Sequence, residues 1–194
     1  MKKLFAAFVL LFASTLTFAQ RSVSNFPEWP YGPPTNSIMS SIPAKTLFVN
    51  RIPLAYADQL TLGRVTFDLL VKSATTNLLL CLYADLVSGP VWQMTVPLTT
   101  KGPQSAVGSD VVFTGPQPFY FAYAETGGNS VAIESFATGQ YPEVAATLNV
   151  DPNNIFWGQS PNYVDGQGCP ASLGVITFPK SMYDLNWPWF RLQP

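Results

Sequence analysis

The sequence has 194 residues and a net charge of −1, and only 11% of its residues are charged, so its surface polarity must come largely from uncharged side chains. It contains no histidine, which excludes Ser-His-Asp and Cys-His catalytic sites and the imidazole zinc sites of hydrolytic metalloenzymes. Its few basic residues are scattered, which argues against a nucleic-acid partner and a polybasic membrane surface. The length favours one domain.

Residues 1–19 are predicted to be a secretory signal peptide. Lys2 and Lys3 begin it, residues 4–16 are uncharged and mostly apolar, and a small-x-small sequence ends at Ala19. The apolar stretch is shorter than the ~20 residues of a membrane-spanning helix. We therefore expect a secreted, periplasmic or cell-surface protein without membrane contact after cleavage, and an uncleaved anchor is the alternative.

Residues 20–45 are predicted to form a Pro-rich N-terminal arm. Five prolines between Pro27 and Pro43 remove backbone donors, which disfavours a helix or a central strand. The aromatic residues Phe26 and Trp29 argue against a purely solvated linker. The arm is expected to lie on its own domain or to reach a neighbouring molecule.

Residues 46–194 are predicted to form an all-β domain, an antiparallel two-sheet β-sandwich. Short apolar or alternating segments recur about every ten residues between Gly- and Pro-containing turns, which is typical of a sandwich or barrel. No stretch of 12 residues combines helical periodicity with capping residues. Strands are predicted near residues 46–50, 61–71, 77–84, 91–98, 110–114, 119–125, 130–136, 173–178 and 189–193.

The segment from Asn77 to Leu98 is predicted to be a hairpin or a corner between sheets. Its first half, residues 78–83, is continuously apolar, which is typical of a strand covered on both faces. Its second half alternates, with Trp92 on the face opposite Gln93, as in a half-exposed strand.

Residues 149–171 are predicted to be a long loop, after one or two helical turns at 141–148. Asp151, Asn153 and Asp165 place oxygen ligands in this loop, and Ca²⁺ accepts such ligands. The surrounding Asp-Pro, Asn-Asn and Asp-Gly pairs are ordinary turn formers. We therefore expect no cofactor, with calcium as the alternative.

Cys81 and Cys169 are the only cysteines. Export to an oxidising compartment permits a disulfide between them. The alternative is two separate thiols, with Cys81 acting as a small buried apolar residue.

The domain resembles jelly-roll-type β-sandwich domains of secreted bacterial and phage structural proteins. The likeness lies in a Leu-Tyr-x-Asp turn at 82–85, in Val91-Trp92, and in the ending from Gly166 through Phe178. Residues 117–120 lack the Pro-Gly of that pattern, and Cys169 stands where Leu is usual. The resemblance implies a jelly-roll fold and carries no catalytic residues.

The loops and the C-terminal segment are rich in aromatic residues, and we hypothesise that these bind a glycan or a protein. The candidates are Trp157, Tyr163, Trp187 and Trp189. Tyr and Trp supply large contact areas with a polar group. The alternative is that these rings pack the ends of the sandwich.

The sequence therefore favours a secreted, non-catalytic protein that acts in extracellular binding or assembly. Alternatives are a carbohydrate-binding module and a self-assembling fibre or shell subunit that uses its arm. A glycosidase with paired carboxylates is the least favoured alternative, and its best pair is Glu125 and Glu134, which flank a Gly-Gly turn.

Overall fold

The computed structural model describes residues 23–24, 37–54, 59–72, 76–129, 131–136, 156–176, 180–181 and 190–194. The described residues contain twelve strands and no helix, so none forms a helical membrane span. The strands are β1 (Val23–Ser24), β2 (Ser37–Ile42), β3 (Phe48–Ile52), β4 (Gln59–Lys72), β5 (Thr76–Tyr83), β6 (Trp92–Leu98), β7 (Gly102–Thr114), β8 (Phe119–Thr126), β9 (Val131–Phe136), β10 (Phe156–Gln159), β11 (Lys180–Ser181) and β12 (Arg191–Gln193).

The strands form two antiparallel sheets that pack face to face, which confirms the predicted β-sandwich. Sheet 1 has the order β1-β12-β4-β9-β2, and β7 pairs with β4 outside this order. Sheet 2 has the order β11-β10-β3-β8-β5-β6. All pairings between these strands are antiparallel. The jelly-roll likeness stays a prediction.

The main core lies between the two sheets. Val65, Phe67 and Leu69 of β4 face Leu80 of β5 and other inward side chains of sheet 2, and all are nearly inaccessible to solvent. Phe190 lies between the sheets, with its ring centroid 5.5 Å from that of Phe67 and 5.1 Å from that of Phe121. Such edge-to-face pairs add to the free energy gained from burial alone.

A β-bulge in β4 changes which residues face the core. Strict alternation would place Leu62 on the same, exposed face of β4 as Arg64. The register of the pairing with β7 shifts between these two residues, and Leu62 is buried. The extra residue of a bulge reverses the side-chain alternation. Gly63 lies at this point, where a Cβ atom would overlap the carboxylate of Asp110.

Five expectations from the sequence need correction or lie outside the described residues. The loop predicted at 149–171 contains strand β10. A strand was predicted at 173–178, but residues 173–176 do not form one. Residues 37–42 of the predicted arm pair with β9 as an outermost strand of sheet 1. The leader at 1–19 and the helical turns at 141–148 lie outside the described residues.

Candidate recognition surface

Residues 160–176, here called the loop layer, cover the outer face of sheet 2. Leu173 is completely buried and Ile176 is nearly so, and both pack on outward side chains of β3, β5 and β8. Those outward residues are Leu47, Val49, Leu79, Cys81, Tyr83, Tyr120, Ala122 and Ala124. The layer therefore gives the central strands of sheet 2 a second buried face, which explains why residues 78–83 are apolar without alternation.

A disulfide joins the loop layer to the middle of sheet 2. Cys81 of β5 and Cys169 are bonded, with their Cα atoms 6.2 Å apart and a sequence separation of 88 residues, which confirms the predicted pair. Cys81 is completely buried and Cys169 is half-buried. Beside the disulfide, the Tyr83 hydroxyl donates a hydrogen bond to the Pro170 carbonyl over 3.0 Å, and burial raises the pKa of Tyr83 well above its usual range.

Hydrogen bonds hold the two ends of the loop layer. The Ser160 amide donates to the Leu47 carbonyl over 3.1 Å, and its hydroxyl donates to the Leu173 carbonyl over 2.8 Å. The Asn162 side-chain amide donates to the Ser172 carbonyl over 3.1 Å. The layer is therefore fixed to the sheet and closed on itself, unlike a loop that only its two termini restrain.

The loop layer also meets the turn between β5 and β6. The Leu86 carbonyl of that turn accepts hydrogen bonds from the Ser172 hydroxyl over 2.9 Å and from the Gly174 amide over 3.2 Å. The turn and the loop layer are thus joined at one backbone oxygen, and this contact sets their relative position.

Asp85 shapes the tip of that turn. Its carboxylate accepts hydrogen bonds from the amides of Val87 and Ser88, over 2.8 Å and 2.6 Å, and from the Ser88 hydroxyl over 2.9 Å. The Ser88 amide, the Val87 amide and the Ser88 hydroxyl stabilise the ionised form, in that order, and they lower the pKa of Asp85. These hydrogen bonds within residues 85–88 hold the shape of the turn.

Two exposed aliphatic side chains are next in sequence to residues of this contact, Val87 to Leu86 and Val175 to Gly174. Val87 is 78% exposed and Val175 is 93% exposed. We call this pair the valine knuckle. Val91 and Val164, on the same two segments, are also exposed. Single exposed aliphatic residues are ordinary, but here the backbone beneath them is fixed by a disulfide and several hydrogen bonds.

The structure places two of the predicted aromatic ligands on opposite faces of sheet 2. Trp157 of β10 lies opposite Asn50 on the inner side, with its ring centroid 6.0 Å from that of Phe48. Tyr163 lies in the loop layer and packs against the outer face. These two rings do not form a shared platform, and Trp187 and Trp189 lie outside the described residues.

Asp165, from the predicted calcium ligands, interacts with Tyr163 instead. The Tyr163 hydroxyl donates to the Asp165 carboxylate over 3.4 Å. Burial is the main cause that raises the pKa of Tyr163 to about 12, and the charges of Asp165 and Glu125 add to it. No group of three or more Cys, Asp or Glu side chains suited to a metal occurs among the described residues, and Asp151 and Asn153 lie outside them.

The sequence did not predict that the polar side chains of Asn50 and Glu125 are buried. Asn50 is completely buried on the inner side of sheet 2, and in the described structure neither its amide nitrogen nor its oxygen has a hydrogen-bond partner. Glu125 is also completely buried. One of its oxygens accepts bonds from the Thr76 hydroxyl and, over 3.2 Å, from the Asn129 amide. Alternating polarity alone does not identify a polar residue that points inward.

The carboxylates proposed as a catalytic pair do not share a hairpin. Glu125 is on β8, which pairs with β3 and β5 of sheet 2, whereas Glu134 is on β9, which pairs with β2 and β4 of sheet 1. The Gly-Gly turn between them therefore connects two sheets, and it does not bring neighbouring strands of one ladder together.

Comparison with protein-family models gave no match, and a search of curated proteins found no relative.

Proposed function

We propose that this protein is a secreted, non-catalytic β-sandwich that recognises a protein partner outside the cell or at the cell surface through the valine knuckle. The observation that carries the proposal is the exposure of Val87 and Val175 on two segments that converge on the Leu86 carbonyl. Exposed apolar groups gain free energy when a partner covers them, about 1.5–3 kcal/mol for a fully buried valine side chain.

The fixed backbone beneath the knuckle strengthens the proposal. Ordering a flexible loop on binding opposes association. Here the Asp85 turn, the hydrogen bonds to Leu86 and the disulfide order both segments before any partner arrives. A preorganised aliphatic pair is suited to protein recognition, whereas sugar rings favour stacking on flat aromatic faces.

The disulfide supports export as the setting. Disulfides persist in oxidising compartments such as the periplasm and the extracellular space, and they are rare in the cytosol. The bond between Cys81 and Cys169 therefore fits the leader-like residues 1–19.

Site-specific photo-crosslinking tests the proposal. A photoreactive phenylalanine at Val175, introduced in the producing cells, is expected to give a discrete protein adduct that Val87→Asp abolishes. The matched control carries the same group at Val107, which is 57% exposed on β7 of sheet 1, and should give no such adduct. Equal adducts from both positions, or an adduct unaffected by Val87→Asp, would contradict the proposal. So would glycan-array binding that Tyr163→Ala removes and Val87→Asp leaves intact.

A further inference from the structure

Strands β1 and β2 occupy the two ends of the main strand path of sheet 1. In the order β1-β12-β4-β9-β2, β1 pairs only with β12 and β2 pairs only with β9 among the described strands. Both strands precede residue 43, so the described residues up to Ile42 contribute only outermost strands. This segment can leave the sheet without separating any two of the strands that remain.

A short link joins this segment to the rest of the domain. Residues 43–47 cross from β2 in sheet 1 to β3 in sheet 2. Ile42 is buried in the core between the sheets, and Leu47 is buried in the cluster under the loop layer. The link is therefore anchored at both ends, and its few residues must make the whole crossing.

Lys45 in this link has a left-handed backbone conformation. Its φ angle is +63°, the only positive φ at a non-glycine residue in the described structure. An L-residue in this region has Cβ close to the following carbonyl, and only Gly, Asn and Asp adopt it readily. The side chain of Lys45 is exposed, and its neighbour Ala44 forms an isolated parallel bridge with Glu125 of β8.

We propose that β1 and β2 exchange between two copies of this chain, so that the β2 of each copy pairs with the β9 of the other. Exchange keeps every pairing between the strands of the closed chain and changes only the link, where the isolated bridge of Ala44 with Glu125 lies. This is the general basis of domain swapping. In the exchanged dimer the link extends, and Lys45 returns to ordinary backbone angles. Short, strained links favour such exchange. The exchange is independent of the valine knuckle, which lies on other segments.

A disulfide trap tests which chain supplies β2. Ser41 of β2 lies directly opposite Ala132 of β9. In the Ser41→Cys/Ala132→Cys variant, exchange is expected to give a covalent dimer on a non-reducing denaturing gel, and Ser41→Cys alone should not. If the new disulfide forms within one chain, the protein migrates as a monomer on this gel. That result would overturn the proposal, whatever the size of the protein in solution.

Two substitutions at Lys45 give a second test, which decides the question if the trap does not form. Lys45→Gly tolerates the closed link and should raise the dimer dissociation constant measured by analytical ultracentrifugation, by about tenfold for each of the two links. Lys45→Pro cannot adopt a positive φ and should lower this constant. Dissociation constants that do not move in opposite directions, or a monomer for all three proteins at high concentration, would overturn the proposal.

Discussion

Removal of the disulfide by Cys169→Ala should cause a large loss of stability. This substitution leaves Cys81 as a buried thiol, which an apolar strand accommodates well. The disulfide restricts an unfolded loop spanning 88 residues. The chain-entropy relation gives about 4–5 kcal/mol of stabilisation for a loop of that length. Without the disulfide, the unfolded chain has more conformations and therefore loses more conformational entropy on folding.

Urea unfolding followed by tryptophan fluorescence measures this loss. With a slope of about 2 kcal/mol per molar urea, the unfolding midpoint should fall by roughly 2 M. The control is Ser172→Ala, which removes the hydrogen bond that the Ser172 hydroxyl donates to the Leu86 carbonyl and the one it accepts from the Gly174 amide. At about 0.5–1.5 kcal/mol for each bond, it should lower stability by about 1–3 kcal/mol.

A fall of less than about 0.5 M for Cys169→Ala would refute this reasoning. It would mean that the unfolded chain is already confined without the bond, or that the loop layer contributes little to the folded state. A Ser172→Ala variant as unstable as Cys169→Ala would also contradict the argument, because the two neutral hydrogen bonds of the Ser172 hydroxyl are expected to contribute less than the restriction of so long a loop.

Three further predictions follow from buried or crowded side chains. Asn50→Leu should raise the unfolding free energy by about 1–3 kcal/mol, because the buried amide has no hydrogen-bond partner among the described residues. Gly108→Ala should lower it by about 1–3 kcal/mol, because a Cβ there would lie 3.1 Å from Cε2 of Trp92 and overlap its indole nitrogen. Tyr163 should titrate near pH 12 by ultraviolet difference absorbance, and Asp165→Asn should lower that pKa. Since its folded pKa is raised, the stability that Tyr163 contributes is complete below pH 10 and is lost towards pH 12.

Each of these predictions has a matched control. Thr76→Val removes a buried donor that does have a partner, the Glu125 carboxylate, and should destabilise where Asn50→Leu stabilises. Ser109→Ala, at the exposed neighbour of Gly108, should leave stability within about 0.5 kcal/mol. The Tyr163→Phe protein supplies the reference for the titration. Stability changes of the same sign for Asn50→Leu and Thr76→Val, equal effects of Gly108→Ala and Ser109→Ala, or a Tyr163 titration near pH 10 would contradict the corresponding prediction.

The strands that follow local patterns were predictable from the sequence. β5, β6, β8 and β9 carry β-branched, aliphatic and aromatic residues between turn formers, and the structure places them within two residues of the predicted bounds. The continuous apolar run of β5 predicted burial on both faces, which the loop layer produces. In these elements local preference and tertiary packing favour the same conformation.

Elements that depend on distant partners were not predictable. The first half of β7, residues 102–109, is rich in Gly, Pro and Ser, and its pairing with β4 supplies the order that local preference lacks. β10 is only four residues long and is held between β3 and β11. For the surface, the sequence suggested the disulfide pair, but no local pattern shows that the segments carrying Val87 and Val175 meet through the Leu86 carbonyl.

Hydrogen–deuterium exchange of the loop layer tests most directly the claim that a fixed loop surface carries recognition. The amides of Ser160 and Gly174 donate to the Leu47 and Leu86 carbonyls, so peptides from residues 160–176 should exchange slowly, at rates close to those of β5 and β8. Exchange of these peptides within seconds, as in an unrestrained surface loop, would show that the valine knuckle has no fixed support and would contradict the account.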